Sequence, residues 1–399
     1  MSKNEADEFN SEIDSEDLAP SDVNEEDLVD ITRETISKTV LHPTDWTVGV
    51  LVDMLRRKKI DLAPHFQRRV AWDETKMSRF IESLFLRLPV PQIVLAEIRP
   101  GRYTVIDGKQ RLTSLARYCL ESDDNQPLIL SGCEYIKEIN RKTFFQLSAE
   151  LQHEADIDAF ESTTIRTIVI SNFASMDILY LMFLRLNQNS VTLSPQELRN
   201  ALYPGEFSVW IDDWTSNSDG LTHIFSQVPD FRMRDIEVTL RHLAFRLYPE
   251  VYSGNMKAFL DNTSDKLMKN WGGLKRQVEG IAENFDASLQ CADKIFGRDA
   301  FRVFQDGHYT RAPNRAVIDV LTYYFSIPEI RDHAIDRAVD VKSAYEALCG
   351  GDAEFRRFVQ SSTKTNEATA GRFEKWRVAL EGALGLPIPE VPIPKKKKR

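Results

Sequence analysis

Apolar residues recur at helical spacing along most of this chain. In "WDETKMSRFIESLFLRLP" they fall at Met77, Phe80, Ile81, Leu84 and Leu88, which predicts a helix with Asp73 as its N-cap and Pro89 and Pro91 as its stop. "TVGVLVDMLRRKK" predicts a shorter helix before it, and "IDLAP" a short strand or extended entry. "QIVLAEI" and "RYTVIDG" read as two strands separated by the turn signal Pro100-Gly101, followed by the helix "QRLTSLARYCL". "IRTIVISN" is another β-rich run. Beyond Asn172 the pattern turns almost wholly helical, from "SMDILYLMFLRLN" and "TLSPQELRNALY" through "DIEVTLRHLAFRLY", "MKAFLDNTSDKLMKNW", "AVIDVLTYYF" and "FEKWRVALEGAL". Ser194, Pro195 and Glu197 form a capping-box signature, with Ser194 as N-cap, Pro195 at the first position and Glu197 at the third.

This order predicts an α+β fold: a small mixed sheet with helices over residues 39–172, then a helical domain over 173–386. Residues 387–399 read as a Pro-rich, extended tail ending in the basic run Lys395–Arg399. Residues 1–38 hold 13 Asp/Glu against 3 Lys/Arg, with few aromatics, and read as a disordered acidic arm. That arm carries the whole formal charge of −10, so the rest of the chain is neutral and does not announce itself as a nucleic-acid-binding body. No apolar run approaches the roughly 18 residues that span a bilayer, and the four cysteines form no CxxC pair. A cytoplasmic protein with reduced thiols and no membrane partner is the expectation.

The candidate chemistry lies in "YTVIDGKQRLTSLARY". A strand feeding a Gly turn into a helix leaves backbone N–H donors at the helix N-terminus, and these with the helix dipole form an anion site. Lys109 and Arg111 add charge where a phosphate would sit. Asp107 could hold hydrated Mg²⁺ or orient a water, and Gln110 could position that water. Asp-Gly is also a common turn dipeptide, and Lys and Arg in a first helical turn also serve as solvated charge. The stretch is thus a phosphate turn or only a turn. Neither the Walker A nor the GxGxxG fingerprint is present.

A second polar patch, "PHFQRRVAW", precedes it. "LAPHFQRRVAWDETKMSRFIESLFLRLPVPQIVLAEI" followed by "YTVIDGKQRLTSL" resembles the N-terminal domain of GmrSD-type restriction endonucleases, within the ParB/sulfiredoxin-like superfamily. The resemblance continues through "FLRLNQNSVTLSPQELRNALYPGEF" and "RDIEVTLRHLAFRL" and, more loosely, to "NRAVIDVLTYYF", covering most of residues 45 to 325. It implies an NTP-binding and NTP-hydrolysing domain in defence against foreign DNA. Carried over, Asp107, Gln110 and Arg111 are catalytic residues, with Asp107 also the metal ligand. Gln67, Arg68, Gly108, Lys109 and Asn187 are nucleotide-binding. Lys109 departs from the Gln usual in the Asp-Gly-Gln-Gln-Arg motif. Many relatives fuse or pair this domain with a His-Asn-His nuclease. The histidines after Phe301, His308 and His333, stand alone, so a separate nuclease partner is expected.

The expectation is therefore a Mg-dependent NTPase with an NTP, DNA and a nuclease subunit as partners, and homo-oligomerisation open. A ParB-like nuclease in its own right and a non-catalytic DNA-binding scaffold are the alternatives.

Overall fold

A computed structural model describes residues 18, 27–28, 31–62, 72–120, 127–186, 194–361 and 363–394. The chain falls into two compact units, one of residues 28–202 and one of residues 1–27 with 203–399. The architecture is the α+β arrangement that the sequence pattern predicts.

The first unit opens with α1 (Arg33–Ser37), β1 (Val40–Thr47), α2 (Val48–Arg56), β2 (Ile60–Asp61) and α3 (Glu74–Phe85). β3 (Ile93–Arg99), β4 (Arg102–Asp107), α4 (Lys109–Cys119), α5 (Phe144–Ser148), α6 (Glu154–Ser162) and β5 (Thr164–Ser171) follow. α7 (Met176–Leu186) and α8 (Pro195–Leu202) complete it. The expected division at 172/173 marks the end of β5; the two helices after it group with the sheet.

The sheet order is β1-β5-β3-β4-β2, mixed because β5–β3 and β4–β2 are parallel and the other pairs antiparallel. Alternate strand residues Ile93, Leu95, Val105 and Ile165 enter one core with Leu51, Ile81, Leu84, Leu112, Leu115 and Phe160 from the helices. The opposite face of β4 is met by α7 and α8, where the Thr104 hydroxyl donates to the Ala201 carbonyl at 3.2 Å. Asp73 caps α3 by accepting from the Lys76 amide at 2.7 Å, as expected.

At the start of the first unit the structure differs from the sequence expectation in β1 and α1. β1 was not foreseen, because Pro43 and Asp45 depress its strand character. It is an edge strand paired with β5 alone, where a missing N–H is tolerated. Residues 33–37, assigned by composition to the disordered arm, form α1, since Thr32 and Thr35 build a reciprocal cap at its N-terminus.

The second unit contains α9 (Glu206–Ser216), α10 (Arg234–Leu247), α11 (Met256–Lys269) and α12 (Trp271–Phe296). A short hairpin of β6 (Phe304–Gln305) and β7 (His308–Tyr309) separates these from α13 (Arg315–Phe325), α14 (Pro328–Asp336), α15 (Ala338–Gly351), α16 (Ala353–Gln360) and α17 (Asn366–Leu384). Its interior is tied by buried charge: Asp319 accepts from Arg241 at 3.0 and 2.5 Å and from Arg372 at 3.1 Å. The Pro-rich tail has neither helix nor strand through Pro394, yet Ile388 and Ile393 are buried. Lys395–Arg399 lie outside the described residues.

Candidate functional site

The turn after β4 is built by three local causes. Val94 pairs with Asp107 while Leu95 pairs with Val105, so Ile106 is a bulge that bends the strand just before the turn. Gly108 then takes φ +97°, in the left-handed region. A Cβ there would lie 3.0 Å from Ile93 Cγ1 and 3.1 Å from Arg111 Nη2, so a side chain would push the guanidinium away. α4 starts at once, and no side chain caps its N-terminus. Its first-turn amides point out of the helix as donors, at the positive end of the dipole.

Arg111 folds back over this turn. Its Nη2 donates to Asp107 Oδ2 and to the Gln92 carbonyl, each at 3.0 Å. The Arg111 side chain is 12% exposed and that of Asp107 33%, so the pair is half-sheltered with the carboxylate facing outward. Among the described residues, Arg111 Nε and Gln110 Oε1 are buried atoms without a hydrogen-bond partner. Two polar atoms of one helical turn are thus desolvated beside uncapped amides, an arrangement that an incoming polar ligand would relieve.

Lys109 goes elsewhere. Its ammonium meets Glu197 Oε1 at 3.0 Å, and both side chains are buried, 7% and 5% exposed. Glu197 Oε2 accepts from the Ser194 amide at 2.6 Å while the Ser194 hydroxyl accepts from the Glu197 amide at 3.0 Å, completing the expected capping box of α8. One carboxylate therefore fastens α4 to α8. Sequence reasoning saw Glu197 only as a cap; its partner is 88 positions away, and no local signal marks it.

Asp107, Gly108, Gln110 and Arg111 are thus brought together, with Lys109 turned toward α8. Gln67, Arg68 and Asn187 lie outside the described residues. The formal charges at the turn cancel in two pairs, leaving the helix N-terminus as its positive feature.

Residues 51–204 match the family model described as GmrSD restriction endonuclease, N-terminal domain. That stretch, less than half of the chain, is similar to a GmrSD-type N-terminal domain. No curated protein and no solved structure matches the chain significantly. The GmrSD-type domain contains the whole strand–turn–helix and α8, and it ends before α10 and α13, to which the sequence resemblance extended. The domain points to a restriction-type defence system and is consistent with contact to DNA. Among the described residues no helix is long and apolar enough to cross a membrane.

His308 and His333 are both exposed. Each ring Nδ1 lies near a backbone carbonyl of its own segment, Asp306 at 3.2 Å and Glu329 at 2.9 Å. Among the described residues no group of three or more His, Cys, Asp or Glu is placed to hold a metal.

Proposed function

We propose that the turn from Asp107 to Arg111 binds the phosphates of a nucleoside triphosphate and supports its hydrolysis, within a restriction-type system that acts on DNA through a separate nuclease. The observation that carries this reading is the uncapped start of α4 beside the desolvated, unpartnered Arg111 Nε and Gln110 Oε1. A phosphate would accept from the first-turn amides and from the guanidinium, giving Arg111 Nε the partner it lacks, while Gln110 Oε1 could accept from a water beside it. Lys109 is not assigned to phosphate here, because its ammonium already meets Glu197. The charge at the phosphates falls to Arg111.

Mg²⁺ fits this donor set. It binds through one or two carboxylates plus phosphate oxygens and keeps its remaining waters, and Asp107 offers a one-third-exposed carboxylate at the rim. Bound there, it would neutralise phosphate charge. The chain's own residues do the rest. Gln110 orients a water toward the terminal phosphorus, Asp107 holds its geometry, and Arg111 stabilises charge as the bond to the bridging oxygen breaks. The products are the diphosphate and inorganic phosphate.

The test is phosphate release from each of the four common NTPs with Mg²⁺, with and without DNA, for wild type and Asp107→Ala. Turnover in wild type that falls by at least about 100-fold in the variant, with unchanged circular dichroism, is the expected result. Plasmid cleavage with metal and no nucleotide would instead make the turn part of a nuclease.

A further inference from the structure

The acidic segment is not all detached from the body. Leu18 is buried, 1% exposed, and its carbonyl accepts from Arg234 Nη1 at 2.5 Å. Nine residues on, the Asp27 carbonyl accepts from Asn255 Nδ2 at 2.7 Å, and its carboxylate meets Lys364 Nζ at 2.6 Å. Arg234 is the first residue of α10 and Asn255 lies beyond that helix's last residue, so the two anchors sit at opposite ends of α10.

The receiving groups are held by their own unit. Arg234 Nε and Nη2 are gripped by the Asp230 carboxylate at 2.7 to 3.1 Å, which aims Nη1 at the Leu18 carbonyl. Asn255 Oδ1 caps α11 by accepting from the Ala258 amide, which directs its Nδ2 outward. The Lys364 carbonyl accepts from the Tyr252 hydroxyl, fixing the backbone that carries the ammonium. Donors oriented independently of their ligand are the mark of a preorganised site, because they need little reordering when the ligand arrives.

We infer that this face of the second unit, bounded by Arg234 at one end and by Asn255 and Lys364 at the other, is a docking site for an acidic, leucine-anchored segment. Leu18 and Asp27 occupy it in cis as the two anchors of an exchangeable ligand. The leucine supplies apolar burial, the carboxylate supplies the match to Lys364, and the two carbonyls are read through groups any chain offers. Tethering raises the local concentration to about the millimolar range, so modest contacts keep the site filled until a competing segment of the same chemistry arrives.

The experiment uses the full chain and a fluorescent peptide of residues 12–30, followed by anisotropy. In Leu18→Asp/Asp27→Lys the cis segment is expelled, and the peptide should bind at least about 10-fold tighter than to wild type. Adding Lys364→Glu to that variant should weaken the peptide about 5-fold, with the difference shrinking at high salt. Asp27→Asn leaves Leu18 seated and keeps the test open if the double variant does not fold; it should give a gain of about 3-fold. Equal binding, or none, in wild type and in the folded variants would make the segment a fixed part of the unit and overturn the inference.

Discussion

At Gly108 the backbone sits at φ +97°, and the space a Cβ would enter is already taken by Ile93 and Arg111. Gly108→Ala should therefore cost about 1–3 kcal/mol in stability and weaken nucleotide binding through the displaced guanidinium; paired thermal melts and binding titrations would read both. Asp107→Ala and Arg111→Ala differ from it in kind. Both side chains stand at the turn, outside the hydrophobic core, so turnover should vanish while the melting profile stays within a few degrees of wild type. The thiols make a separate expectation at this scale. All four cysteines are free and buried, and burial pushes Cys133 up to about 11 and Cys291 up to about 12 from an ordinary 9.0. Because folding raises these pKa values, their contribution to stability is whole below pH 9 and is lost as pH climbs through about 11 and about 12. Native protein at pH 8 should resist alkylation at all four sites, and melting temperatures should fall on the alkaline side of pH 9.

Between elements, the decisive contact is Lys109 with Glu197, a buried pair that fastens α4 to α8. Lys109→Met leaves that carboxylate without this cation and should cost about 3–5 kcal/mol, whereas Lys109→Met/Glu197→Gln keeps the α8 cap and should recover most of the loss. Urea titrations of the three proteins would decide it. This pair also shows where the sequence stops informing. α3, the two strands around Gly101, the turn and the α8 cap were legible because their causes are local: periodicity, an N-cap aspartate, a positive-φ glycine, a Ser-Pro-x-Glu run. The Ile106 bulge and the Lys109 partner were not, since one depends on strand pairing and the other on a residue far along the chain. α12 is a different case. It is absent from the sequence reading although its buried residues Val278, Ala282, Phe285, Leu289, Ala292 and Phe296 repeat at steps of three and four; Gly272, Gly273 and Gly280 lower its helix propensity.

Across the molecule, charge is organised in a way composition alone did not reveal. The acidic segment holds a net −10 and the rest of the chain none, yet Leu18 and Asp27 are seated against other residues of the second unit, where Asp230 with Arg234 and Asp261 with Lys257 form buried pairs. Asp319 there holds both Arg241 and Arg372, the latter fully buried, and burial lowers the Arg372 pKa despite the aspartate. Asp319→Ala would strand two guanidiniums and should cost about 3–5 kcal/mol, read as a lowered denaturant midpoint. In the first unit, the deciding measurement is equilibrium binding of a non-hydrolysable NTP with Mg²⁺ to wild type and Arg111→Ala. Binding to wild type should be saturable and should weaken by at least about 10-fold in the folded variant. Equal binding to both proteins, or none to either, would contradict the proposed phosphate binding and leave Asp107–Arg111 as a turn.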